Sequence, residues 1–156
     1  ESSPASRCSS GRRSWATAGW TSKLPPSASR LAAEMEAEWP ELAERVTRRQ
    51  ADLADVPLGA TDLVVAAHAC GTLTDKVLEL AVAAGSDVAV LPCCSDHSLL
   101  DHAGLDGWLG ADLAIDVVRA LRLRDAGYTV WTQRIPETIT PKNRLLMGSR
   151  RGEGER

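Results

Sequence analysis

Five side chains with soft donor atoms, His68, Cys70, Cys93, Cys94 and His97, fall in one stretch, DLVVAAHACGTLTDKVLELAVAAGSDVAVLPCCSDH, from Asp62 to His97. Thiol and imidazole groups can line a ligand pocket, ligate zinc, or act as a nucleophile with its base. For the nucleophile, no third group that would orient the base is identifiable. For zinc, the spacing HxC, twenty-two residues, CCxxH is not a standard pattern. Adjacent cysteines also cannot easily share one ion from within a strand, so no metal ligand is assigned. The plainest alternative is that small thiols and a ring merely finish two strands and pack there.

The elements that must position these groups are legible in the same stretch. Leu63 to Ala67 and Val88 to Leu91 are short, nearly continuous apolar runs, which suits parallel strands buried on both faces. Between them Val77, Leu78, Leu80, Ala81 and Ala84 recur at helical spacing and give one apolar face. Thr72 or Thr74 can cap that helix, and Gly85-Ser86-Asp87 ends it. A βαβ unit follows, with its strands parallel and, if adjacent, roughly 4.8 Å apart. His68 with Cys70, and Cys93 with Cys94 and His97, then follow the ends of two parallel strands, where open α/β sheets hold their ligands.

The chain has 156 residues, 44% apolar and 25% charged, with a net charge of −3. This composition suits one soluble domain and argues against a surface given over wholly to nucleic acid. No apolar run approaches the roughly 20 residues needed to span a bilayer, and no signal segment opens the sequence. Four cysteines without a small secreted framework read as reduced thiols, which points to a cytoplasmic protein with no membrane association.

Residues 1–26, rich in Ser, Arg and Ala, read as an irregular or disordered lead segment, although Trp15 and Trp20 could dock on the body. Ser27 or Ser29 can cap a helix through Leu31 and Met35 that ends near Glu38, before Pro40 starts a turn at ELAERV. Val46 to Ala51 reads as an edge strand marked by its arginines. Ser95 to Gly110 is a loop with Leu99, Leu100, Leu105 and Trp108 as candidate anchors. Ala111 to Asp125 is a helix with Leu113, Val117, Ala120 and Leu121 on one face. Tyr128 to Ile135 and Arg144 to Met147 are strands joined by PETITPKN, where Lys142 and Asn143 shape the hairpin or, as the alternative, contact a phosphate or substrate. Residues 150–156 are a charged tail, leaving one α/β domain at residues 27–149. The basic pairs Arg12-Arg13 and Arg48-Arg49, with Arg45, are ordinary solvated surface that could also meet RNA.

The pieces ADL at Ala51 to Leu53, HACGTLTD at His68 to Asp75, PCC at Pro92 to Cys94 and ITPKNRLL at Ile139 to Leu146 resemble a group of class I S-adenosylmethionine-dependent methyltransferase domains. That group includes tRNA methyltransferases and the methyltransferase-like domain joined to a glutathione-transferase-like module. The resemblance spans Leu31 to Gly148. It implies a Rossmann-like α/β sheet, mostly parallel, that ends in an antiparallel C-terminal hairpin. It also implies S-adenosylmethionine as cofactor, with Asp52 and Leu53 beside the adenine. His68, Ala69, Cys70 and Gly71 would then form the loop where methyl donor meets acceptor, and Pro92, Cys93 and Cys94 would line the same pocket. On this basis His68, Cys70, Cys93 and Cys94 are the catalytic candidates, and Asp52, Leu53, His68, Ala69 and Gly71 the cofactor-binding ones.

The glycine-rich cofactor loop of such domains, and the acidic residue after their second strand, have no counterpart before Leu31. The expectation is a fragment, the later part of a methyltransferase domain, incomplete at its N-terminus and acting on RNA by analogy with the tRNA-modifying relatives. Asp52 as a simple turn cap is the bland alternative to its cofactor role. An inactive binding or assembly module, and a Cys/His zinc-binding domain, are the alternatives for function.

Overall fold

The computed structural model describes residues 15–19, 26–40 and 46–150, and these divide into two units between Val56 and Pro57. Among the described residues, no helix is long and apolar enough to cross a membrane.

In the first unit, strand β1 (Trp15–Gly19) pairs in parallel with β2 (Val46–Gln50), and helix α1 (Pro26–Glu38) lies between them in sequence. The expected edge strand is therefore β2. The lead segment, expected to be irregular, contributes β1. Pro26 opens α1 at a position where its missing N–H costs no hydrogen bond, and the helix stops at Glu38 ahead of Trp39-Pro40. Asp52 begins a 3-10 turn, Leu53–Asp55, and its Oδ1 accepts the Ala54 N–H at 3.0 Å. Arg12, Arg13, Trp20, Arg45 and the expected turn after Pro40 lie outside the described residues.

The second unit carries the βαβ stretch. Its strands are β3 (Leu63–Ala67), β4 (Asp87–Leu91), β5 (Tyr128–Arg134) and β6 (Arg144–Arg150), arranged in the order β3-β4-β6-β5. β3 and β4 are parallel neighbours, while β6 is antiparallel to both β4 and β5. The hairpin is thus present, but one pairing of the three in this sheet is parallel, where a mostly parallel sheet was expected. The cause is local. The last strand, returning from a hairpin, inserts between β4 and β5 instead of extending the edge.

Side chains alternate across the sheet, so each face is set by every second residue. Val64, Val88, Gly148 and Val130 form one row and Ala66, Val90, Leu146 and Thr132 the next. These rows include the buried core residues Val64, Ala66, Val88, Val90 and Leu146. Helix α2 (Leu73–Ala84) adds Val77, Leu78 and Ala81 to that core, and α4 (Ala111–Asp125) adds Ala114, Ile115, Val118 and Leu123. Gly148 suits its place because a Cβ there would meet Tyr128, Leu123 and Val88 at 3.0–3.4 Å. The buried Tyr128 hydroxyl lies 3.0 and 2.9 Å from the carbonyl oxygens of Ala81 and Ser86, tying β5 to the end of α2. On the opposite face the row Val65, Ala89, Met147 and Trp131 stays open, with Val65 62% and Trp131 50% exposed.

The α2 face matches the sequence pattern, whereas the α4 face is turned by about one residue. Ala114, Ile115, Val118 and Arg119 are buried, and Leu121, expected inside, is exposed. Arg119 explains the difference. Its guanidinium lies inside, with Nε and Nη2 on the Asp75 carboxylate at 3.2 and 2.6 Å, Nη1 on Asp116 at 3.1 Å and Nη2 on the Gly71 carbonyl at 3.2 Å. Asp116 also receives Arg144 of β6 at 2.6 Å. Burial alone would lower the Arg119 pKa, but the hydrogen bonds and charges of Asp75 and Asp116 outweigh it and hold the pKa above its ordinary value. An apolar side chain in its place leaves the Asp75 carboxylate without this cation and Asp116 with Arg144 alone. Arg119→Met is therefore expected to destabilise the fold by about 3–5 kcal/mol, measured as the loss in urea unfolding free energy.

Candidate functional site

The two loops with chemistry sit side by side because β3 and β4 are adjacent and parallel. The His68 N–H donates to the Leu91 carbonyl at 3.1 Å, prolonging the ladder, and the Gly71 N–H donates to the Cys94 carbonyl at 2.8 Å. The loop after β3 is therefore clipped at one end to the last residue of β4 and at the other to the segment that follows it. His68 (φ 60°) and Gly71 (φ 59°) both occupy the left-handed region, the two bends that turn HACG away from the strand and into α2. Glycine meets that demand at position 71 without strain, while His68 tolerates it at some cost.

Helix α2 starts without the expected side-chain cap. Thr72 stands at the N-cap in a helical conformation and makes no capping bond, while the buried Thr74 hydroxyl donates back to the Ala69 carbonyl. Ala69 is itself buried, so this bond fixes the middle of the loop. Gly85 ends the helix in the left-handed conformation, as its place in the sequence suggests.

The clip brings three of the five candidate donors together. The Sγ atoms of Cys70, Cys93 and Cys94 lie within 4.8 Å of one another, and Cys70 Sγ is 3.0 Å from Cys93 Sγ. Cys93 is buried, while Cys70 and Cys94 are exposed, and all three are free thiols. Cys70 also donates to the His68 carbonyl at 3.5 Å. Burial, then hydrogen bonds with Cys70 and Cys94, push the Cys93 thiol up to about 12. That keeps it protonated at neutral pH.

The two histidines are not part of this group. His97 Nε2 is 2.8 Å from Asp112 Oδ1 at the start of α4, and that bond is the main reason the Asp112 carboxyl is held below its usual range. Lys142 adds a longer contact to the same carboxylate at 3.6 Å. Asn143 is structural: its Nδ2 donates to the Ile135 carbonyl at 2.9 Å, and its own carbonyl accepts the Ile135 N–H. Of the expected loop anchors, Leu100 is buried, but Leu99 and Trp108 are 70% and 89% exposed. The short helix α3 (Asp106–Leu109) thus carries its tryptophan into solvent.

Asp52 and Leu53 belong to the first unit, where Asp52 caps its turn. Two grooves of about 260 and 300 Å³ flank α4, one against β5 and β6 and the other against α2. Neither is lined by His68 or the three cysteines. Sequence reasoning missed Arg119, Asp75 and Asp116, the groups that brace the HACG loop from behind. The available signal was an arginine in the apolar stripe of α4, four residues after Ile115 and four before Leu123.

Residues 18–102, more than half of the chain, match the family described as "Methyltransferase domain". The chain belongs to that family. Searches of curated proteins and of solved structures returned no match. The matched span of the methyltransferase domain includes β2, the Asp52 turn, the βαβ unit and all three clustered thiols, and stops short of α4 and the terminal hairpin.

Different burial of the three thiols predicts an order of reaction, because the thiolate is the nucleophile. At pH 8, iodoacetamide is expected to modify Cys70 and Cys94 while Cys93 stays unreacted. In urea the distinction should vanish. Peptide mass spectrometry at timed quench points reads both.

Proposed function

We propose that this chain carries the later part of an S-adenosylmethionine-dependent methyltransferase, with HACG and PCC as the two loops facing the transferred methyl group. The observation that carries this reading is the coincidence of the family match with the clip between His68–Gly71 and Leu91–Cys94, which fixes two polar loops at one end of a parallel strand pair. Such strand ends hold cofactors in open α/β sheets.

The cofactor would supply an electrophilic methyl group on a sulfonium. The chain's own task is placement. Asp52 and Leu53 would flank the adenine, with the backbone of His68, Ala69 and Gly71 beside the methyl donor. His68 and the thiols of Cys70, Cys93 and Cys94 would form the wall against which the acceptor aligns. Holding an acceptor lone pair in line with the breaking carbon–sulfur bond, in a site shielded from water, accounts for much of the rate gain in group transfer. An RNA nucleotide as acceptor rests on the resemblance to tRNA methyltransferases alone, since fold does not fix substrate.

The edge of the sheet favours a second reading. Among the described residues of its unit, β3 pairs on one side alone, and Leu63 and Val65 on it are exposed. A methyltransferase-like module whose sheet is completed by strands from elsewhere would have such an edge, and would bind no cofactor by itself.

Calorimetric titration with S-adenosylhomocysteine separates the two. Saturable one-to-one binding, weakened about tenfold (about 1.4 kcal/mol) in both Asp52→Ala and His68→Ala, is the outcome expected of the enzyme. A folded chain that takes up no S-adenosylhomocysteine would exclude catalysis by this chain alone and leave the assembly reading.

A further inference from the structure

We infer that Cys70, Cys93 and Cys94 form a three-thiolate site for a single zinc ion whose fourth position opens to solvent. The inference goes beyond methyl transfer and holds whether or not a cofactor binds.

The objection raised by the sequence, that neighbouring cysteines in a strand point apart, does not apply. β4 ends at Leu91, so Cys93 and Cys94 lie in the irregular segment after it. There the chain turns both thiols towards Cys70, and all three Sγ atoms fall within 4.8 Å of one another. Zinc–sulfur bonds of about 2.3 Å at tetrahedral angles put sulfur atoms roughly 3.8 Å apart. The observed 3.0 Å between Cys70 and Cys93 and the 4.8 Å limit for the trio bracket that value. Sub-ångström shifts of the side chains would seat the ion.

The surroundings are those of a held site. The two loops that supply the ligands are clipped by the Gly71 N–H to the Cys94 carbonyl, and the Cys70 loop is fixed again by Thr74 on Ala69. The backbone therefore does not have to be ordered when the ion arrives. Cys93 lies inside, while Cys70 and Cys94 reach the surface, giving an entry path and an exposed face for the fourth ligand, a water molecule. Both histidines are outside the cluster, His97 being engaged by Asp112, so the donor set is all sulfur. Soft thiolates select zinc or copper(I) over hard cations such as magnesium and calcium. On binding, three S–H bonds give way to three S–Zn bonds and the protons pass to the buffer.

The test uses the full 156-residue chain, reduced and stripped of metal. It is titrated with cobalt(II) as a coloured probe and then with zinc(II) against a chromophoric chelator. One equivalent of cobalt with intense sulfur-to-metal charge-transfer absorption is expected. Zinc should displace it, and X-ray absorption should find three sulfur neighbours at about 2.3 Å. Cys94→Ser changes an exposed side chain with little risk to folding. It and Cys70→Ser should each lower zinc affinity at least tenfold with unchanged circular dichroism, whereas Cys8→Ser, which keeps all three thiols, should bind as the unsubstituted chain does. Zinc held by nitrogen and oxygen alone, absence of the charge-transfer bands, or full affinity in both cluster variants overturns the assignment.

Discussion

The guanidinium of Arg119, 1% exposed, is where α2, α4 and the candidate site of the second unit meet. Removing so strong a charge from water costs several kcal/mol, and burial is repaid only when every donor finds a well-placed acceptor. Here the acceptors are the Asp75 carboxylate of α2, the Asp116 carboxylate of α4 and the Gly71 carbonyl of the HACG loop. The network reaches the sheet as well, because Asp116 also holds Arg144 of β6. A single buried cation thus fixes how α2 and α4 lie together and where the loop after β3 must sit.

That loop then passes the constraint on. Gly71, held by Arg119 through its carbonyl, uses its N–H to hold the Cys94 carbonyl, so the segment after β4 is located relative to the same cation. Thr74 fastens Ala69 between these points. The three thiols converge where these bonds hold the two loops together, with the 3.0 Å Cys70–Cys93 contact between them. A site that must align two reactants, or hold one metal ion, benefits from such support, because positional error is costly in both tasks.

Much of the second unit was legible from local pattern. Val-rich runs marked β3 and β4, helical spacing marked α2, and the residues from Tyr128 onward marked the hairpin, because each signal is local to one element. Burial of β3 on both faces, expected from its continuous apolar run, is not found, since Leu63 and Val65 are exposed. The order of the sheet was not legible, since the insertion of β6 between β4 and β5 depends on pairing across long sequence separation. The α4 face was misread because Arg119 counts as polar in any periodicity, yet its three acceptors make it a core residue. Of the five candidate donors the three thiols alone converge; His97 instead meets a carboxylate fifteen residues away on α4, a contact no spacing rule anticipates. β1 was missed for a related reason: its five residues, WATAG, lack the apolar alternation that marks a strand. The family match supports the methyltransferase domain, while the roles proposed for Asp52, His68 and the thiols rest on the resemblance.

Hydrogen–deuterium exchange at the Gly71 amide, compared between the unsubstituted chain and Arg119→Met, tests the dependence of the site on the buried cation most directly. If Arg119 positions the loop, the Gly71 amide should lose more protection than the core amides of β4, whose loss reports global destabilisation alone. Equal loss at Gly71 and at Val88 and Val90 would contradict the account, since the clip between the two loops would then stand without Arg119.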